Sequence, residues 1–132
     1  LIKYLLDTNI LIYTIKNRPP QVKKAFMLHN GQMAISTITV GELVYGAERS
    51  ACPERNLADI EGLFSRVEVI EFDAKAAYHF GQIRAELYAK GRPIGPYDMM
   101  IAGHARSEGL ILVSNNEKEF ERVSGLRMEN WC

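Results

Sequence analysis

The run Ile2-Lys3-Tyr4-Leu5-Leu6-Asp7 decides the fold. A short, mostly apolar segment ends abruptly on a carboxylate, and a second apolar pattern, Ile10 to Ile15, starts three residues later. The first reads as a buried strand and the second as a short helix broken by Pro19 and Pro20. The same signature recurs at Leu110-Ile111-Leu112-Val113-Ser114, an apolar run too short for a helix and closed by a polar residue. Buried strands alternating with helical patterns point to an α/β domain with a mainly parallel sheet.

Working outward, Val22 to Leu28 reads as a helix and Met33 to Ile35 as a strand. Thr37 to Arg49 and Pro53 to Phe64 read as helices, the latter with proline at its first position. Val67 to Ile70 suggests a strand. Asp73 is a natural N-cap for a long helix to about Ala89, closed by Gly91. Pro96 opens a helix to about Ser107 that Gly109 ends, Asn116 to Val123 reads as a short helix, and Leu126 to Trp131 as a final strand.

The chain has 132 residues, which is one domain's worth of sequence. Apolar residues make up 47% and charged residues 24%, which argues against disorder and coiled coil. Sixteen basic residues balance sixteen acidic ones, so no general basic excess marks a nucleic-acid binder. The balance is uneven along the chain. Residues 1–30 carry five basic groups and one acid, Asp7, whereas residues 31–72 carry three basic groups and seven acids. Cys52 and Cys132 show no metal-ligand spacing and read as reduced thiols of a cytoplasmic protein, and no stretch is long and apolar enough for a membrane span.

Three acids lie where a strand ends or a helix begins: Asp7, Glu42 and Asp98. Each has a purely structural reading. Asp7 would cap the following helix, Thr39-Val40-Gly41-Glu42 fits a capping box, and Asp98 would face a helix N-terminal dipole. Their apolar flanks, Leu5-Leu6, Ile10-Leu11 and Met99-Met100-Ile101, place them instead at the border of the core. Buried charge needs compensation, and several carboxylates with only oxygen ligands favour Mg²⁺ or Mn²⁺ over zinc. Asn116 and Glu119 have capping-box spacing, and Glu119 either supports its helix or joins the same crevice. The histidines show no ligand spacing, and His104 with Glu108 reads as a helix-surface pair. Tyr45, Leu63 and Phe64 read as core residues.

Four segments in register carry a family resemblance: Leu6-Asp7-Thr8-Asn9, Ser36 through Leu43, Pro93-Ile94-Gly95-Pro96-Tyr97-Asp98, and Val113-Ser114-Asn115-Asn116 with Glu119-Phe120. Together they resemble the PIN-domain ribonucleases, and most of all the VapC toxins of bacterial toxin–antitoxin pairs. The resemblance implies a three-layer α/β/α sandwich around a short, mainly parallel sheet. It also implies endonucleolytic, Mg²⁺- or Mn²⁺-dependent cleavage of RNA, leaving 5′-phosphate and 3′-hydroxyl ends. The family's metal-binding acids fall on Asp7, Glu42 and Asp98, with Thr8, Asn9, Ser36 and Ser114 in supporting positions. The family's fourth acid falls on Asn116, an amide, so either Asn116 orients water or phosphate or Glu119 supplies the missing carboxylate.

The implied partners are a structured RNA, with initiator tRNA near the anticodon the favoured target, a VapB-like antitoxin, and a second copy in a homodimer or hetero-oligomer. The antitoxin would lay a peptide over the crevice and place a basic side chain among the acids. Lys16, Arg18, Lys23 and Lys24 near Asp7, and Lys90 and Arg92 before Asp98, are the candidate RNA path. The rival is a non-catalytic partner-binding module of the same fold, with Asn116 disabling the site. A phosphoacceptor receiver, a D-x-D phosphatase and a G-x-G-x-x-G nucleotide-binding module each lack their required residues.

Overall fold

The computed structural model describes residues 1–132. Five strands and seven helices alternate as β1 (Tyr4–Leu6), α1 (Thr8–Lys16), α2 (Pro20–Leu28), β2 (Met33–Ser36), α3 (Thr37–Glu48), α4 (Pro53–Phe64), β3 (Glu68–Ile70), α5 (Ala74–Ala89), α6 (Pro96–Glu108), β4 (Ile111–Val113), α7 (Glu117–Phe120) and β5 (Met128–Glu129). The strands form one sheet in the order β3-β2-β1-β4-β5, and every pairing is parallel.

The alternation of side chains along each strand divides the core into two layers. Tyr4, Leu6, Met33, Ile35 and Val113 pack with Ile10 and Leu11 of α1, Val22 and Phe26 of α2, Leu43 of α3 and Ile60 of α4. Leu5, Ala34 and Leu112 point the other way, onto Ile83 and Leu87 of α5 and Met99, Ile101 and Ala105 of α6. The central strand β1 is buried along its whole length because helices cover both faces.

From β1 the chain winds outward to β2 and β3, then returns to β4 and β5 on the other side. The switch in direction lies between β1 and β4, which opens a crevice beyond their carboxyl ends. Asp7 follows β1 and Ser114 follows β4, so both stand at this crevice. The short helix expected over 116–123 closes after one turn at Phe120, whose buried ring anchors it to the α5/α6 layer.

Candidate active site

Asp7 is 4% exposed and is held at both oxygens. The Asn9 amide N–H donates to Oδ1 at 2.7 Å, which makes Asp7 the N-cap of α1. The Ser114 hydroxyl donates to Oδ2 at 2.6 Å, across the β1/β4 switch point. Ser114 in turn accepts the Asn116 amide N–H at 3.0 Å, which ties the loop after β4 to the same carboxylate. Capping and site membership are therefore one arrangement. Burial pushes the Asp7 carboxyl up, opposed by the hydrogen bonds from Ser114 and Asn9.

Glu42 is held by Thr8, a supporting residue whose pairing with Glu42 no sequence spacing indicates. The Thr8 hydroxyl donates to Oε1 at 2.8 Å, joining α1 to α3 over a separation of 34 residues. Thr8 thus supports Glu42, not Asp7, and Asn9 reaches Asp7 through its backbone. The Thr39–Glu42 capping box does not form, because α3 begins three residues earlier: Ser36 is its N-cap, accepting from the Ile38 amide at 3.1 Å. Thr39 is fully buried inside the helix instead. Ser36 does fix the helix that carries Glu42, as expected.

Asp98 stands in the first turn of α6, and its carboxyl is pushed up to about 6. Burial is the largest cause, followed by the charges of Asp7, Glu119 and Glu42 in that order. Asp98 therefore feels the negative charge of all three of these acids. Asn116 makes no side-chain cap; its amide donates to Glu119 Oε2 at 2.7 Å and holds that carboxylate at the site.

Neither ion pair of the protein involves these acids, since Lys75 pairs with Glu108 at 3.5 Å and Lys90 with Glu86 at 3.1 Å. No three His, Cys, Asp or Glu side chains close into a metal cage by themselves. The donor chemistry nevertheless suits a hard divalent cation: four carboxylates without a basic partner, one with its pKa raised by burial and then by the charge of the other three, and no nitrogen or sulfur ligand among them.

His104 is not a surface residue. It is fully buried, its Nδ1 lies 2.8 Å from Ser36 Oγ, and its ring meets Phe72 edge-on at 5.5 Å. Glu108 turns to Lys75 instead. The His104–Ser36 contact pins α6 to the start of α3, and so couples the helices bearing Asp98 and Glu42. Tyr45 is 62% exposed and not part of the core, whereas Leu63 and Phe64 pack against it.

The basic candidates are dispersed. Lys16, the last residue of α1, lines a groove with Glu42, Ile12, Leu43 and Ile60. Lys23 lines a separate hollow with Thr14, Asp59 and Arg66, by the far end of α1. A nine-residue helix is about 13 Å long, so proximity to Asp7 in sequence is not proximity in space. Lys90 is engaged by Glu86, while Arg92 makes no ion pair and precedes Asp98 in the connecting loop.

A PIN domain model matches residues 4–126. The chain belongs to the PIN-domain family. Within that family it is 62% identical over 131 residues, 99% of both chains, to the tRNA(fMet)-specific endonuclease VapC of Shigella flexneri. It is 56% identical, over 99% of both chains, to Ribonuclease VapC2 of Haemophilus influenzae strain Rd. Among solved structures it superposes on a chain of DNA-bound VapBC from Salmonella typhimurium with a TM-score of 0.95, at 57% identity and full coverage of both chains. A chain of VapBC2 from Rickettsia felis, bound to a promoter DNA fragment, matches with a TM-score of 0.93 at 41% identity, covering 99% of this chain and 100% of that one. The PIN sandwich expected from the four motifs is the fold observed, and the VapC-type resemblance holds across the whole chain.

Proposed function

We propose that this PIN-domain protein is a divalent-metal-dependent endoribonuclease toxin that hydrolyses a phosphodiester bond of initiator tRNA and is silenced by a VapB-like antitoxin. The observation that carries the reading is a set of acids each held in place without a basic partner: Asp7 by Ser114 across the β1/β4 crevice, Glu42 by Thr8 and Glu119 by Asn116, with Asp98 in the first turn of α6. The tRNA target rests on the 62% identity with an endonuclease named for tRNA(fMet).

Asp7, Asp98 and Glu42 would hold Mg²⁺ or Mn²⁺, with Glu119 completing the negative cradle. A bound divalent ion lowers the pKa of water and stabilises charge on a phosphate in the transition state. The chain's own contribution is preorganisation. Ser114 and the Asn9 amide fix Asp7, Thr8 fixes Glu42, and Asn116 fixes Glu119, so the carboxylates need little reordering when the phosphate arrives. Burial and the neighbouring acids hold the Asp98 carboxyl up at about 6, and a bound cation would favour its charged form.

The groove of about 270 Å³ between α1, α3 and α4 supports the antitoxin reading. Ile12, Ile15, Leu43, Ala47 and Ile60 line it and Glu42 stands in its wall, so an apolar segment lying there would deliver a basic side chain to the acids. A tRNA substrate supports a cytoplasmic location for the protein. The reading is tested by incubating purified protein with tRNA(fMet) and with an elongator tRNA, then mapping the ends. Selective scission of tRNA(fMet) leaving 5′-phosphate and 3′-hydroxyl termini is expected. Absence of cleavage in any RNA, with retained antitoxin binding, would instead mark a non-catalytic binding module.

A further inference from the structure

Two exposed tyrosines flank the carboxylates, and the mechanism uses neither. Tyr45 lies three residues after Glu42 on α3 and is 62% exposed, and Tyr97 immediately precedes Asp98 on α6 and is 56% exposed. Together with Gly41 and Glu42 they line a cleft of about 660 Å³. Gly41 is one helical turn before Tyr45, on the same face of α3. A Cβ added at Gly41 would meet nothing within 4 Å, so its neighbours do not demand glycine. A glycine inside a helix lowers stability, and here it leaves the cleft floor open beside the ring. Arg49 steadies the other side of Tyr45: its guanidinium donates to the phenol oxygen at 3.0 Å and lies 5.5 Å from the ring centroid.

We infer that Tyr45 and Tyr97 form a base-stacking site for an unpaired nucleotide of the RNA substrate next to the scissile bond. The inference rests on the ribonuclease reading and adds to it the residues that receive a base. Three features select this occupant. The cleft shares Glu42 with the acidic centre, so whatever fills it lies beside the phosphate being cut. Its walls are aromatic rings, and single-stranded RNA is held chiefly by stacking unstacked bases on such rings. The cation beside it, Arg49 on the far side of Tyr45, suits a phosphate flanking the stacked base. Stacking has no ionic component, which separates these residues from the lysines and arginines of the RNA path.

The test uses a single-stranded RNA oligonucleotide carrying 2-aminopurine, titrated with full-length protein in EDTA so that no metal-dependent cleavage intervenes. Tyr45→Leu and Tyr97→Leu are expected each to weaken binding about fivefold or more at every salt concentration. The slope of log affinity against log salt stays that of wild type, and the quenching of 2-aminopurine on binding is reduced. Tyr97→Phe recovers the quenching, because the ring and not the hydroxyl stacks. Tyr88→Leu, an exposed tyrosine far along α5, serves as the control and binds as wild type. Leucine variants that bind and quench like wild type overturn the proposal. So do leucine variants whose light scattering shows an altered oligomeric state at unchanged RNA affinity, since the tyrosines would then face a protein. If wild type cleaves tRNA while the leucine variants bind normally, only the stacking site falls. If wild type neither binds RNA in EDTA nor cleaves tRNA with Mg²⁺ or Mn²⁺, the ribonuclease reading falls with it.

Discussion

At Asp98 the folded protein holds a carboxyl at about 6, against 3.8 for the free side chain. A raised carboxyl pKa means that the native state binds more protons than the unfolded state between those two values, so stability falls as pH rises through this window. Asp98→Asn removes the cost. It is expected to raise the stability of the metal-free protein at pH 7 by about 1–2 kcal/mol after allowance for solvent screening. The gain should vanish below about pH 4, where both states of the wild type are protonated, and urea unfolding at pH 4 and 7 measures it. His104 works with the opposite sign. Burial lowers its pKa, opposed by the charges of Glu108 and Asp73, so its contribution is present above the ordinary value of 6.5 and is lost as pH falls below it. Ser114→Ala leaves Asp7 buried with one hydrogen bond fewer; thermal or urea unfolding should show a loss of about 1–3 kcal/mol at neutral pH. Asp7, Glu42 and Asp98 were legible because each is an acid set against apolar residues at the end of an element. The Thr8–Glu42 bond and the burial of His104 were not, because both are contacts across the fold that no local spacing encodes.

Among the elements, α5 and α6 make the closest helix pairing, and Gly103 is the reason. A Cβ there would lie 2.7 Å from the Phe80 backbone nitrogen, and backbone cannot swing aside as a side chain can. Gly103→Ala should therefore cost about 2–3 kcal/mol, seen as a lower unfolding midpoint, and reduce RNA cleavage by displacing α6 and with it Asp98. The boundaries of α4, α5 and α6 follow from local punctuation: Pro53, the Asp73 cap accepting from Ala76, Pro96 and the left-handed Gly109. Helix α3 shows where such punctuation misleads. Thr39 and Glu42 have capping spacing, yet Ser36 takes the cap because β2 ends at it and His104 fixes its hydroxyl. Two candidate caps three residues apart were decided by a helix sixty-eight positions away.

For the molecule as a whole, neutrality is a sum of opposites. Sixteen acids match sixteen bases, and setting aside Asp7, Glu42 and Asp98 leaves thirteen acids against sixteen bases, an excess of three positive charges around a negative centre. The fold decides which of those bases face the crevice. Lys16 shares a groove with Glu42 and Arg92 makes no ion pair, whereas the hollow that Lys23 lines is not bordered by Glu42. Neutralising Arg92 or Lys16 should flatten the salt dependence of RNA binding by about one unit of slope each, and the double change at Lys23 and Lys24 should leave it intact. The central claim is that the carboxylates at the β1/β4 crevice cut RNA with a divalent ion. Its most direct test is the cleavage rate of tRNA(fMet) by wild type and Asp7→Ala, with Mg²⁺ or Mn²⁺ and with EDTA. The account predicts cleavage only by wild type and only with metal. Cleavage that survives EDTA, or full activity in Asp7→Ala, would contradict it.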